Sequence, residues 1–208
     1  MSLPVLDNHD PRIRYYELLL EGPLSGVEER PLPPGYRFVT YRLGDRDAWI
    51  AVEQSAREFD TYQQGLDAWG RYYAGREDQL PGRMIFVENG AGEKVATATA
   101  FYDITGRDTS GAGWLHWVAV RREDQGRGIS KPLIAHVLGI LRDLGHTWAK
   151  IPTQTTTWLA VKVYLDLGFR PIPQNAVHSR DGWRIIRRIT DHPALSAFDP
   201  AGDDEVLI

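Results

Sequence analysis

Cysteine is missing from all 208 residues. Disulfides, thiolate metal sites and a cysteine nucleophile are therefore excluded, and a reducing cytoplasm is a compatible home. No apolar run approaches the ~20 residues that a membrane helix needs. Residues 1–16 lack the apolar core of a signal peptide. These absences predict a cytoplasmic protein with no membrane partner. Positive charge is in short supply too: 24 Lys and Arg against 28 Asp and Glu leave a formal net charge of −4. A nucleic-acid binder needs a basic face to neutralise phosphates, so no nucleic-acid partner is expected. Neither an internal repeat nor a low-complexity tract is visible. What is present, at 42% hydrophobic residues, suffices for the core of one domain with extensions.

Residues 1–35 read as an N-terminal extension holding a short helix, Arg12 to Glu21, and the connector Pro31-Leu32-Pro33-Pro34-Gly35, where prolines stop helices and favour extended chain. A strand is predicted from Tyr36 to Arg42. A helix follows from Ala48 to Glu58, with Asp45 or Asp47 as its cap, and another from Tyr62 to Tyr73. Met84–Glu88 and Lys94–Tyr102 form a hairpin across Asn89-Gly90-Ala91-Gly92, and Trp114–Arg121 is a third strand. Ser130–Leu144 carries a helical stripe of Leu133, Ile134, Val137, Leu138, Leu141 and Leu144, ended by Gly145. Then come a strand over Thr147–Thr153, a helix over Trp158–Leu167, and strands over Phe169–Pro173 and Trp183–Ile189. Residues 191–208 read as a weakly structured tail. This order predicts an α/β domain over 36–190 whose mixed sheet is flanked by helices on both faces.

The segment Gln125-Gly126-Arg127-Gly128-Ile129-Ser130 joins a strand directly to a helix. Glycines allow a tight turn and close approach to a ligand. The first helical N–H groups lack internal partners, and the helix dipole adds partial positive charge, so phosphate binds well there. Arg127 and Lys131 add charged donors. A loop that needs glycine only for its turn is the alternative. The Gly-Lys-Ser/Thr ending of an NTPase loop and the three-glycine Rossmann spacing are both absent.

Trp114-Leu115-His116-Trp117-Val118-Ala119-Val120 followed by Gln125 to Ser130 resembles the acetyl-CoA segment of the GNAT superfamily of N-acetyltransferases. Gln125 and Gly128 match the pattern Gln/Arg-x-x-Gly-x-Gly/Ala, and Ser130 departs from its last position, where its hydroxyl could cap the helix or meet a phosphate. Ala160 to Phe169 resembles the family's Ala-x-x-x-Tyr-x-x-x-Gly-Phe. Thr157 stands where many relatives carry Asn. The resemblance implies a GNAT fold with a mostly antiparallel central sheet. It also implies acetyl-CoA as co-substrate without a metal, its pantetheine along the backbone of Val118, Ala119 and Val120. The pyrophosphate would lie on Gln125, Gly126, Arg127, Gly128, Ile129, Ser130 and Lys131, with Thr157 as a further contact.

Amide formation from a thioester needs a neutral amine and a donor for the departing sulfur. Tyr164, in the second motif, is the candidate at the sulfur; otherwise it is a core tyrosine. For the base, the candidates are His116, mid-strand and by alternation on the side of Trp114, Val118 and Val120, and Glu53, with Glu58 and Asp60 behind it. Their bland alternatives are a histidine tied to a neighbouring strand and a solvated helix face. Tyr62, Tyr72, Tyr73, His178 and Arg180 are further pocket candidates. The expected function is transfer of an acetyl group to a small-molecule amine. A non-catalytic acyl-CoA-binding module and a protein-modifying acetyltransferase stay open, and a homodimer is compatible with each.

Overall fold

The computed structural model describes residues 3–172 and 178–208, with only the backbone of His178. The chain divides into two compact units, one of residues 24–149 and one of residues 1–23 with 150–208.

The unit of residues 24–149 is built on four antiparallel strands in the order β2 (Arg37–Thr40), β3 (Met84–Glu88), β4 (Lys94–Phe101) and β5 (Gly113–Val120). Three helices cover it: α1 (Arg46–Ser55), α2 (Tyr62–Tyr72) and α3 (Ser130–Asp143). Helix α2 starts in a capping box, where the Thr61 hydroxyl accepts the Gln64 N–H and the Gln64 side chain reaches back. Asp45 holds the cap position of α1 without capping it. Its carboxylate accepts the Arg42 N–H at 2.8 Å and Lys94 Nζ at 3.0 Å.

Strand alternation sorts the two faces of this sheet. Phe101 on β4 and Met84 and Phe86 on β3 pack with Trp49, Ile50, Trp69 and Tyr73 of α1 and α2. The opposite face takes α3: a Cβ added at Gly113 would lie 2.7 Å from Leu141, and Phe38 stacks on His136 at 4.3 Å. Helices therefore flank both faces, as the element order predicts.

The unit of residues 1–23 with 150–208 holds β6 (Trp148–Gln154, from Lys150 on), β1 (Glu17–Pro23) and β7 (Arg170–Pro171), in that order. Helices α4 (Trp158–Asp166), α5 (His178–Thr190) and α6 (Asp203–Val206) complete it. Three sequence expectations are corrected in this unit. The helix expected over Arg12–Glu21 is strand β1. Its Leu18, Leu19 and Leu20 are buried, and Leu20 pairs with Pro171, so tertiary pairing overrides the helical propensity of Leu and Glu. The strand expected over Trp183–Ile189 is α5. Ser179, Gly182, Trp183 and Ile186 are buried at i, i+3, i+4, i+7 spacing, a helical stripe that the neighbouring isoleucines disguise as a strand. The tail after residue 191 is structured: Val206 is buried, and Ile13 bridges Leu207. Of the strand expected over Phe169–Pro173, Arg170–Pro171 pair with β1, and Pro173 lies outside the described residues.

Helix α5 approaches β1 through Gly182. A Cβ there would sit 2.8 Å from Leu18 Cδ2 and 2.9 Å from Tyr16 Cβ. Gly182→Val is therefore expected to cost about 1–3 kcal/mol of overpacking strain, read as a lower urea midpoint. An unchanged midpoint would mean that the two elements move apart freely.

Candidate functional site

The loop and its anchors come first. After β5, a 3-10 turn at Arg122–Asp124 leads into Gln125, and α3 begins at Ser130. Gln125 Nε2 donates to the Val120 carbonyl at 3.0 Å, pinning the loop to the end of the strand. Gly126 and Gly128 have φ of +74° and +82°, the left-handed region that glycine enters without penalty. An added Cβ would meet nothing within 4 Å at Gly126 and only Pro33 at 3.8 Å for Gly128. Backbone conformation, not crowding, is what demands glycine at both positions. The first turn of α3 carries no acidic residue, so nothing offsets the positive end of its dipole. Ser130 is the first helical residue and Ile129 holds the cap position, so the cap expected of Ser130 falls on a residue without a polar side chain.

Arg127 is held from two sides. It donates to the Tyr36 hydroxyl at 3.1 Å and to the Glu123 carbonyl at 3.0 Å, and stands 3.5 Å from Asp124. Tyr36 in turn donates to buried Asp124 at 3.0 Å. Sequence reasoning missed this arrangement, because Tyr36 lies 91 residues from Arg127 and no local motif joins them.

Strand β5 contains a bulge. Thr97 pairs with Ala119 but Thr99 with His116, so Trp117 and Val118 together oppose Ala98. Trp117 carries the extra residue's kink with φ of +52°, a conformation that costs a bulky residue roughly 1–3 kcal/mol and clusters at functional sites. The bulge corrects the alternation expected for His116. Residues paired across strands share a face, so His116 and Ala119 lie with Thr97 and Thr99, whereas Val120 turns to the other side. Trp117 joins His116 on the α1–α2 face: its ring meets Trp49 at 5.3 Å, Phe59 at 5.4 Å and Tyr72 at 5.1 Å.

Glu53 lies one helical turn beyond Trp49 and therefore on the same side of α1. It is fully buried, and neither carboxylate oxygen has a hydrogen-bond partner. Burial, helped by nearby Glu58, pushes its carboxyl well above the ordinary carboxylate range. The solvated helix face that was the alternative for this residue is thus replaced by a desolvated acid. The end of the same helix is tied to the loop: Ser55 Oγ accepts the Arg122 N–H at 3.1 Å. Glu53 and the glycine loop are thereby parts of one unit.

His116 is buried as well. Its ring packs against Tyr72, Phe101 and Trp114, it hydrogen-bonds the Tyr102 backbone, and burial lowers its pKa to about 4. It is a neutral imidazole near pH 7, with Nε2 unpartnered. Asp60 is exposed and Glu58 half-buried. The Tyr62 hydroxyl donates to Asp47 at 2.9 Å, and that of buried Tyr73 donates to Thr99 at 3.1 Å. Tyr164 and Thr157 belong to the other unit. Tyr164 is buried in α4. The Thr157 hydroxyl donates to the Gln154 carbonyl at 3.1 Å and lies 3.1 Å from the Thr153 hydroxyl. Arg180 is exposed, and the side chain of His178 lies outside the described residues. Among the described residues no group of three or more His, Asp or Glu side chains could hold a metal ion, and no helix is long and apolar enough to cross a membrane.

Residues 47–169 match the sequence model of the Acetyltransferase (GNAT) family. Solved structures with the same fold include a GCN5-related N-acetyltransferase from Sphaerobacter thermophilus, 22% identical with a TM-score of 0.57 over 77% of this chain and 49% of that one. A GCN5-related N-acetyltransferase from Kribbella flavida is 17% identical, with a TM-score of 0.52 over 76% and 56%. A tandem GNAT protein from the clavulanic acid biosynthesis pathway is also 17% identical, with a TM-score of 0.54 over 76% and 50%. The chain thus spans about half the length of each. A comparison with curated proteins finds no match.

Proposed function

Since the chain belongs to the GNAT acetyltransferase family, we propose that it transfers an acetyl group from acetyl-CoA to a small-molecule amine by direct attack in a ternary complex. The observation that carries this reading is the loop: two left-handed glycines between a strand and an acid-free helix N-terminus, a cradle for a pyrophosphate. Gln125 to Lys131 would hold the diphosphate, and the bulged backbone around Val118 to Val120 would receive the pantetheine arm, since a bulge takes residues out of the ladder.

An amine with a pKa of about 10.4 arrives protonated at pH 7. Burial favours the protonated form of Glu53, so it first gives up its own proton and the carboxylate then takes that of the ammonium. The nitrogen lone pair attacks the thioester carbonyl, the C–N bond forms, the C–S bond breaks with its electron pair on sulfur, and the second proton shed by the new amide nitrogen ends on that thiolate. The motif from Ala160 to Phe169 makes Tyr164 the candidate partner of the departing sulfur. Proton donation from an ordinary phenol (about 10) to a thiolate (about 8.5) is uphill by roughly 2 kcal/mol, so the phenol hydrogen-bonds the sulfur unless its own pKa is lowered. The aromatic cluster of Trp49, Phe59, Tyr72 and Trp117 on the face that α1 covers favours a small amine over a peptide groove.

Thiol release from acetyl-CoA with a panel of amines tests the reading, and no release with any amine would refute it. Tyr164→Phe is expected to lower kcat by about 10²-fold with CoA affinity kept. Full activity in that variant would leave Tyr164 a packing residue of α4.

A further inference from the structure

Five side chains of residues 24–149 bury polar atoms without a partner: Trp49 Nε1, both oxygens of Glu53, Thr97 Oγ1, His116 Nε2 and Trp117 Nε1. Native proteins leave only a few such groups per 100 residues, and these five sit on elements that pack together. Trp49 and Glu53 are one turn apart on α1, and α1 packs on β4 and β5. Thr97 and His116 share the face beneath α1 and α2, and the Trp117 ring touches Trp49. Above them Phe59, Tyr72 and Trp117, each half-buried, form a connected aromatic rim, with Trp117 between the other two.

Resting on the acyltransferase reading, we propose that this rim and Glu53 select the acceptor as a monocationic amine on a compact aromatic or apolar body, its nitrogen at Glu53 and its body on Phe59, Tyr72 and Trp117. A carboxylate one turn from Trp49, whose ring meets Phe59 at 5.8 Å and Trp117 at 5.3 Å, suits an ammonium twice over, through the ion pair and through the ring quadrupoles. The rings exclude water and take an apolar body, whereas a polyol needs hydrogen-bond partners that a ring surface cannot supply. Charge number follows from the supply of buried acids. Within residues 24–149 the buried acids are Glu53 and Asp124, and Asp124 is already engaged by Tyr36 and Arg127. Glu58, near Glu53, is only half-buried, and an ion pair on a solvated carboxylate contributes little, so a second ammonium has no second desolvated carboxylate to meet.

Calorimetry on the full chain, with and without saturating CoA, would compare 2-phenylethylamine with the dication putrescine and the aminosugar glucosamine. Phenylethylamine is expected to bind at least ten-fold more tightly than either. Glu53→Gln, which keeps shape and removes charge, should weaken it at least ten-fold, and Trp117→Leu should do likewise, both with CoA affinity within about two-fold of the parent. Tighter binding of putrescine or glucosamine, or phenylethylamine binding unchanged in Glu53→Gln, would overturn the proposal. The underlying acyltransferase reading fails separately. If acetyl-CoA is consumed with another amine while phenylethylamine does not bind, only the acceptor class is wrong. If acetyl-CoA does not bind while phenylethylamine binds through Glu53, only the transfer reading is.

Discussion

Glu53→Gln is expected to lower kcat by about 10²- to 10⁴-fold while leaving the protein at least as stable as the parent at pH 7. Both effects have one cause. The Glu53 carboxyl is fully buried, has no hydrogen-bond partner, and is held well above the usual carboxylate range. In the unfolded chain it titrates near 4.3. A folded pKa raised above the unfolded one means that the contribution of Glu53 is fully present below about pH 4.3 and is lost as pH rises towards the folded pKa, because the unfolded chain gives up its proton first. Glutamine has no proton to lose, so its advantage over the parent should grow between pH 5 and pH 7, as measured by urea midpoints at both. The same raised pKa should set the acidic limb of the kcat profile above the ordinary carboxylate range, and the variant should lack that limb. A midpoint for Glu53→Gln well below the parent at pH 7 would show that the carboxyl has a structural partner. The Glu53 base would be ruled out by undiminished turnover.

Gly128→Glu is expected to weaken CoA binding by at least about 100-fold, roughly 2.7 kcal/mol. The φ of +82° at this position strains any residue with a Cβ by roughly 1–2 kcal/mol. The new carboxylate would also stand at the N-terminal end of α3, where it competes with a phosphate for the same dipole and N–H groups. Gly128→Asn separates the two contributions, because asparagine enters the left-handed region and carries no charge. It should cost less than ten-fold. Calorimetric titration with CoA reads both variants. Equal affinities across parent, Asn and Glu would place the diphosphate elsewhere.

The strands and α-helices of residues 24–149 were legible in sequence to within about three residues, since each is announced locally. The Asn89–Gly92 turn sets the hairpin, Gly126 and Gly128 set the loop, and the apolar stripe of α3 sets its length. The loop could be named as a site candidate from the same local signals, whereas Glu53 entered only through the GNAT resemblance of the first helical region. Sequence failed at β1, α5 and the C-terminal segment, where Leu18–Leu20 and Trp183–Ile186 take their structure from partners more than 100 residues away. Chemistry at the site depended on tertiary structure in the same way. Nothing in the run Trp117-Val118-Ala119 announces a bulge, because a bulge is a mismatch between β5 and β4 and belongs to neither strand alone. Glu53 reads as a solvated helical acid until α1 is laid on the sheet, and only then is its carboxyl desolvated and its pKa raised. Local backbone geometry follows from neighbouring residues, whereas desolvation and register follow from what the whole chain brings to one place. The sequence alone therefore determined the backbone of the glycine loop, and the packing of α1 on β4 and β5 decided which carboxyl was desolvated.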